Sequence, residues 1–221
     1  MIPLRDDNPT VLWPIVTVGL ILFNAAVFLY ELSLDPRLLE RLFYQAGMVP
    51  ASLTHGRLSG AGGYATIFSS MFLHAGLMHI AGNMLYLWIF GNNIEDSMGH
   101  LRFVIFYLLT GVAAAVTHLA FNPAATVPTI GASGAVSGVL GAYLVMFPDA
   151  RIRTLVLIFL IPVFTSLPAS LLLVIWFLGQ ILGSLQTSTG IATFAHIGGF
   201  VTGWLVTRRF RQRPARRRQY S

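Results

Sequence analysis

The stretch Gly131-Ala132-Ser133-Gly134 sets a serine between glycines at the head of an apolar run that reaches Phe147, and His196 follows in a later apolar run. A serine hydroxyl becomes nucleophilic beside a base, and a neutral imidazole can serve. Ser133 as nucleophile and His196 as its base therefore imply acyl-transfer chemistry. His79 and Asn83 stand four residues apart, so they share one helix face. Both are donors of the kind that stabilises an oxyanion, and the amides and positive dipole end at the start of the Ser133 helix would complete such a hole. Glu95, Asp96 and Asp149 map to the opposite end of their spans, so no carboxylate is at hand and the expected unit is a Ser–His dyad.

Each of these residues has a plainer alternative. A lone intramembrane histidine commonly hydrogen-bonds one helix to another, worth about 1 kcal/mol, and a serine among glycines lets helices approach. Gly134-x-x-x-Gly138 and Gly199-x-x-x-Gly203 fit that packing role. The two readings cooperate, because contact between those glycine faces would carry His196 toward Ser133. A metal site is not expected. His74 and His79 are five apart, about 140° around a helix, and the spacing and glutamate of an H-E-x-x-H site are missing. With no cysteine in the chain, thiolate sites and disulfides are excluded, and no cofactor is indicated.

The housing follows from composition. The 221 residues are 55% hydrophobic and 10% charged, with a mean hydropathy of +0.72, whereas soluble domains carry roughly 25% charged residues. The expectation is an all-α, multi-pass membrane protein with six spans. These are Val11 to Tyr30, about Gly76 to Phe90, Leu101 to Phe121, about Ala132 to Phe147, Ala169 to Leu185 and Ile191 to Thr207. Residues 1–10 form a polar lead, 11–207 one membrane domain, and 208–221 a basic tail. Asp6 and Asp7 beside Arg5 argue against a signal peptide, so the first span reads as a retained helix. Glu31 to Ala75 is a long first loop with Arg37, Glu40 and Arg41 on an amphipathic turn, followed by Gly60, Gly62 and Gly63. Thr154 to Leu167 reads as a hydrophobic hairpin or interfacial segment, divided by Pro162 and closed by Pro168.

All fourteen basic residues are arginines, and seven lie in the last fourteen positions. With both termini cytoplasmic, eleven of the fourteen face inward and only Arg37, Arg41 and Arg57 fall outside, as the positive-inside rule requires. Ser133 and His196 then lie toward the outer face of a plasma membrane. The arginine tail reads as an anchor for anionic lipid. Nucleic acid is not an expected partner, since the tail lacks stacking aromatics or a motif.

These residues also carry a resemblance. His74-x-x-x-x-His79-x-x-x-Asn83, Gly91-x-x-x-Glu95-x-x-x-Gly99, Gly131-x-Ser133-Gly134 and Ala195-His196-x-x-Gly199-x-x-x-Gly203 occur in that order. Together they resemble the signatures of bacterial-type rhomboid intramembrane serine proteases, over nearly all of residues 10–207. The resemblance implies a six-helix bundle with a long outer loop and an endopeptidase that cuts transmembrane segments of other proteins. It implies Ser133 as nucleophile, His196 as base, and His79, Asn83 and the Ser133 amide as the oxyanion hole. It further implies that the fifth helix, with Trp176 and Phe177, moves to admit substrate, although those aromatics could equally face lipid. Two positions depart from the family pattern. Ala65 and Thr66 replace a Trp-Arg pair, and Ser137 replaces a tyrosine that stacks on the histidine; Ser137 could hydrogen-bond instead. The alternative from a different class is a catalytically silent relative that binds membrane helices. A transporter would need paired mid-membrane charges and repeated halves, and neither is visible.

Overall fold

The structure is a computed structural model that describes residues 1–54, 63–159, 161–184 and 192–211. The expectations placed on Arg57, Gly60, Gly62 and the turn 186–190 lie outside these residues, as do Arg213, Arg216, Arg217 and Arg218.

The first long helix, α1 (Ile15–Ser33), is exposed and apolar along most of its length. Its start is held by a carboxylate from far along the chain. Glu95 accepts from the Val16 amide at 2.9 Å, the Thr17 amide at 2.8 Å and the Thr17 hydroxyl at 2.7 Å. The opening amides of a helix have no partners within it and sit at its positive end, which suits an anion. The region expected as a long loop folds into short helices. α2 (Pro36–Ala46) opens on Asp35, whose side chain accepts from the amides of Arg37 at 2.9 Å and Leu38 at 3.0 Å, with proline in the first turn. That is a complete N-cap, and α2 buries none of its residues. The α3 segment (Pro50–Thr54) and α4 (Thr66–Ser69) follow, the latter flanked by single turns.

Two helices then run into each other: α5 (Leu77–Tyr86) continues through a wider π turn, Leu87–Gly91, into α6 (Asn92–Met98). Gly99, at φ +78°, breaks the run and starts α7 (His100–Phe121). At the centre stands α8 (Ser133–Met146), in which eleven residues are buried. Its neighbours are α7 and α10 (Thr193–Phe210), and α9 (Ala169–Ser184) lies along α10. The core is aromatic: Phe90, Phe103, Phe106, Tyr107 and Tyr143 are fully buried, with Phe90 edge-on to Tyr143 at 4.9 Å between centroids.

The glycines of α8 and α10 explain how these helices come so close. A Cβ at Gly199 would fall on the Gly134 carbonyl, and one at Gly203 on the Gly138 carbonyl. Gly141 of α8 likewise faces α10, at the Phe200 carbonyl, but Gly134 and Gly138 face α7: a Cβ at Gly134 would come within 2.6 Å of the Ala114 methyl and one at Gly138 would strike Thr110. So α8 is squeezed between the Ala114 and Thr110 side chains of α7 on one side and the backbone of α10 on the other, as small-residue interfaces allow.

The all-helical expectation is corrected in one place. The lead and the hydrophobic hairpin form a three-stranded antiparallel sheet: β1 (Ile2–Asp6), β2 (Arg151–Ile158) and β3 (Ile161–Pro168). β2 and β3 pair without a shift from Arg151↔Pro168 to Ile158↔Ile161, and β1 pairs with β2 through Arg5↔Arg153. The hairpin's β-branched residues, Ile152, Thr154, Val156, Val163 and Thr165, favour strand. The polar lead joins them because Asp6 is anchored in the bundle, accepting from Asn93 Nδ2 at 2.6 Å and the Tyr143 hydroxyl at 2.7 Å.

By length and composition, α1 and α7 can each cross a membrane, and the segment Gly63–Phe72 with Leu77–Met98 qualifies as a pair bent by 81°. α8 and α9 are shorter apolar helices; fourteen residues reach about 21 Å. Large apolar side chains lie exposed along α1, α7 and α9, among them Leu22, Leu29, Leu101, Ile105, Val174 and Leu178. This is the surface of a membrane protein, whose bundle faces hydrocarbon rather than water.

Candidate active site

Ser133 opens α8, and the loop before it is fixed from two sides. Thr129 pairs with Met48 through both of its backbone groups, and the Gly131 amide donates to the Ser70 carbonyl at 2.8 Å. Gly131 has φ +123°, a region that L side chains rarely adopt. There is also no room for one, since a Cβ would lie 2.7 Å from His79 Nε2 and 3.6 Å from Ser133 Oγ. The same observation sets the His79 ring beside the serine.

His196 lies in the first turn of α10, three residues ahead of Gly199. The close α8–α10 contact brings its Nε2 to 2.8 Å from Ser133 Oγ. Its other nitrogen, Nδ1, lies 2.7 Å from Gln180 Oε1 on α9. A proton on Nδ1, donated to the amide oxygen, would leave Nε2 to accept from the serine hydroxyl. The Trp176 ring, one turn before Gln180, packs 6.2 Å from the imidazole and 5.9 Å from Phe200, while Phe177 stacks on Phe200 at 4.5 Å.

On α5, Asn83 is 8% exposed, and its Nδ2 is buried with no hydrogen-bond partner among the described residues. His74, 1% exposed, packs edge-on to His79 at 5.1 Å, with both ring nitrogens equally unpartnered. The backbone amide of His74 donates to the buried Glu31 carboxylate at 3.1 and 3.3 Å. Buried polar groups in native proteins rarely lack partners. Unpartnered donors of this kind are available to an incoming oxygen. Chemically, the arrangement can activate a hydroxyl, receive its proton and stabilise negative charge on a carbonyl oxygen.

Of the sequence candidates, Ser133 on α8 and His196 on α10 meet directly, and the His79 ring of α5 lies against Gly131, two residues before the serine; Asn83 follows on α5, four residues after His79. Ser137 is corrected: its hydroxyl donates to the Ser133 carbonyl at 2.6 Å, an i−4 bond within α8, and it does not serve His196. Trp176 and Phe177 are not simply lipid-facing, since both pack on α10. The residue missed is Gln180. A single amide in the otherwise apolar run of α9 is costly in a membrane, and that rule applied to α9 would have found it. Glu31, placed at the edge of the first loop, instead belongs to α1 and is 2% exposed.

Comparison with known proteins points the same way. A family model described as "Rhomboid domain" matches residues 61–213, which include all four candidates. RHOMBOID-like protein 1 of Arabidopsis thaliana is 31% identical over 155 residues, 67% of this chain and 35% of the relative. Rhomboid protease GluP of Bacillus subtilis (strain 168) is 29% identical over 140 residues, 63% of this chain and 25% of the relative. The mitochondrial presenilin-associated rhomboid-like protein of Mus musculus is 36% identical over 144 residues, 62% of this chain and 36% of the relative. The chain therefore spans between a quarter and about a third of the length of these relatives. With motifs, packing and matched region in agreement, the chain belongs to the rhomboid family.

Proposed function

We propose that this protein is an intramembrane serine endopeptidase that cleaves transmembrane segments of other membrane proteins through a Ser133–His196 dyad. The observation that carries the reading is the 2.8 Å contact between Ser133 Oγ and His196 Nε2. As Oγ attacks the scissile carbonyl carbon, Nε2 takes the hydroxyl proton. The resulting oxyanion is held by His79, Asn83 and the Ser133 amide. Collapse of the tetrahedral intermediate breaks the C–N bond, and the imidazolium returns the proton to the leaving amine. Water then attacks the acyl-enzyme by the same route.

In this reading residues 11–207 form a six-span protease domain, with the lead and the arginine tail on the cytoplasmic side of the plasma membrane and the dyad toward the outer face. Pairing of β1 with β2 supports it, because Arg5, Arg151 and Arg153 then share one end. The name of GluP, a rhomboid protease, supports the activity. Labelling of the detergent-solubilised protein with a fluorophosphonate probe tests the proposal. Wild type labels, and Ser133→Ala and His196→Ala do not. A folded wild-type protein that neither labels nor cuts a transmembrane substrate would favour a silent helix-binding relative.

A further inference from the structure

We propose that Gln180 is a positioning residue that sets the tautomer of His196, so that the dyad forms only while α9 is seated against α10. The inference rests on the serine protease reading and extends it to a residue outside the family signatures.

A histidine acts as base toward Ser133 only if Nε2 is free of hydrogen, so the proton of the neutral ring must sit on Nδ1. In many Ser–His sites a buried carboxylate holds that proton and orients the ring. Here the acceptor at Nδ1 is the neutral amide oxygen of Gln180, at 2.7 Å. An amide suits a membrane site, since it accepts the bond without the cost of a buried charge. Trp176 and Gln180 are one turn apart on α9, so ring packing and hydrogen bond reach His196 from the same face. They supply the orientation that Ser137, bonded within α8, does not.

The placement on α9 has a consequence. The buried residues of α9 are Ala169, Leu172 and Leu173, all in its first two turns. Beyond them its seat on α10 includes Trp176 and Phe177 against Phe200, Gln180 against His196, and Gly183 close to Thr193. Displacing this end of α9 from α10 would take the acceptor from Nδ1.

The experiment compares Gln180→Leu and Gln180→Glu with wild type on a transmembrane peptide substrate in detergent. It includes kcat and KM separately, the pH profile of kcat/KM, and ¹⁵N histidine spectra assigned with His196→Ala. In wild type the His196 proton resides on Nδ1. Gln180→Leu lowers kcat by roughly tenfold to a hundredfold with KM little changed, and its His196 becomes a tautomer mixture. Gln180→Glu keeps the acceptor and recovers activity at alkaline pH, but its new charge favours the imidazolium, so the acidic limb moves to higher pH. The proposal is overturned by a wild-type His196 protonated on Nε2, by wild-type kcat in Gln180→Leu, or by an unmoved acidic limb in Gln180→Glu. Should Gln180→Leu fail to fold, the Gln180→Glu profile decides. Should wild type prove inactive, the protease reading fails, and the wild-type ¹⁵N spectrum still decides the tautomer.

Discussion

At the scale of single residues, the site divides into groups that meet each other and groups that wait. Ser133, His196 and Gln180 already form a chain of hydrogen bonds. Asn83 Nδ2 and both His74 ring nitrogens are buried without partners among the described residues. In the proposed reaction Asn83 finds its partner only as the carbonyl oxygen gains charge, so its contribution appears in kcat rather than in KM. Asn83→Ala is accordingly expected to lower kcat by roughly 10²–10³-fold with KM nearly unchanged, while fluorophosphonate labelling slows but persists. A loss confined to KM in steady-state cleavage assays would remove Asn83 from the oxyanion hole. Gly131 is constrained differently: its φ of +123° and the His79 ring leave no place for a side chain.

Among the elements, α8 and α10 determine whether the residues meet at all. The Gly199 and Gly203 faces lie on the carbonyls of Gly134 and Gly138, and carbonyls within a helix cannot yield as a side-chain tip can. Gly199→Ala should therefore force the helices apart, costing about 1–3 kcal/mol and drawing His196 off Ser133. The expected result is a lower thermal midpoint together with loss of labelling. A Gly199→Ala protein that labels at the wild-type rate would show that the interface has slack. Glu95 is the corresponding fixture at the other end, tying the start of α1 to α6 and contacting His100 Nδ1 at 2.6 Å.

For the whole molecule, the sheet binds the ends of the bundle together on the side away from the dyad. Asp6 is its link to the helices, and burial pushes its carboxyl up to about 6 against the opposing hydrogen bonds from Tyr143 and Asn93. The fold therefore favours the neutral acid. Its contribution is full below the ordinary carboxyl range near 3.8 and is lost as pH rises through about 6, a difference of at most about 3 kcal/mol. The thermal midpoint is expected to be higher at about pH 4.5 than at about pH 7.5, values chosen on either side of the folded-state titration near 6. Asp6→Asn should flatten the dependence, and a slope unchanged in that variant would assign it to another group.

What the sequence by itself determined is whatever depends on residue type and local spacing. The apolar composition required a membrane, the four ordered motifs selected the family, and the Gly199–Gly203 repeat marked the face of α10 that meets α8, whereas Gly134 and Gly138, expected on the same contact, face α7. These features are periodic or contiguous in the chain, so a linear reading can find them. The tertiary structure alone decided the partners of isolated polar residues. Gln180 on His196, Glu31 on the His74 amide and Asp6 on Tyr143 join positions 16, 43 and 137 residues apart, and spacing carries no signal for such pairs. Strand pairing between the lead and the hairpin was hidden for the same reason. A five-residue strand is stable only against a partner, and that partner lies some 150 residues on.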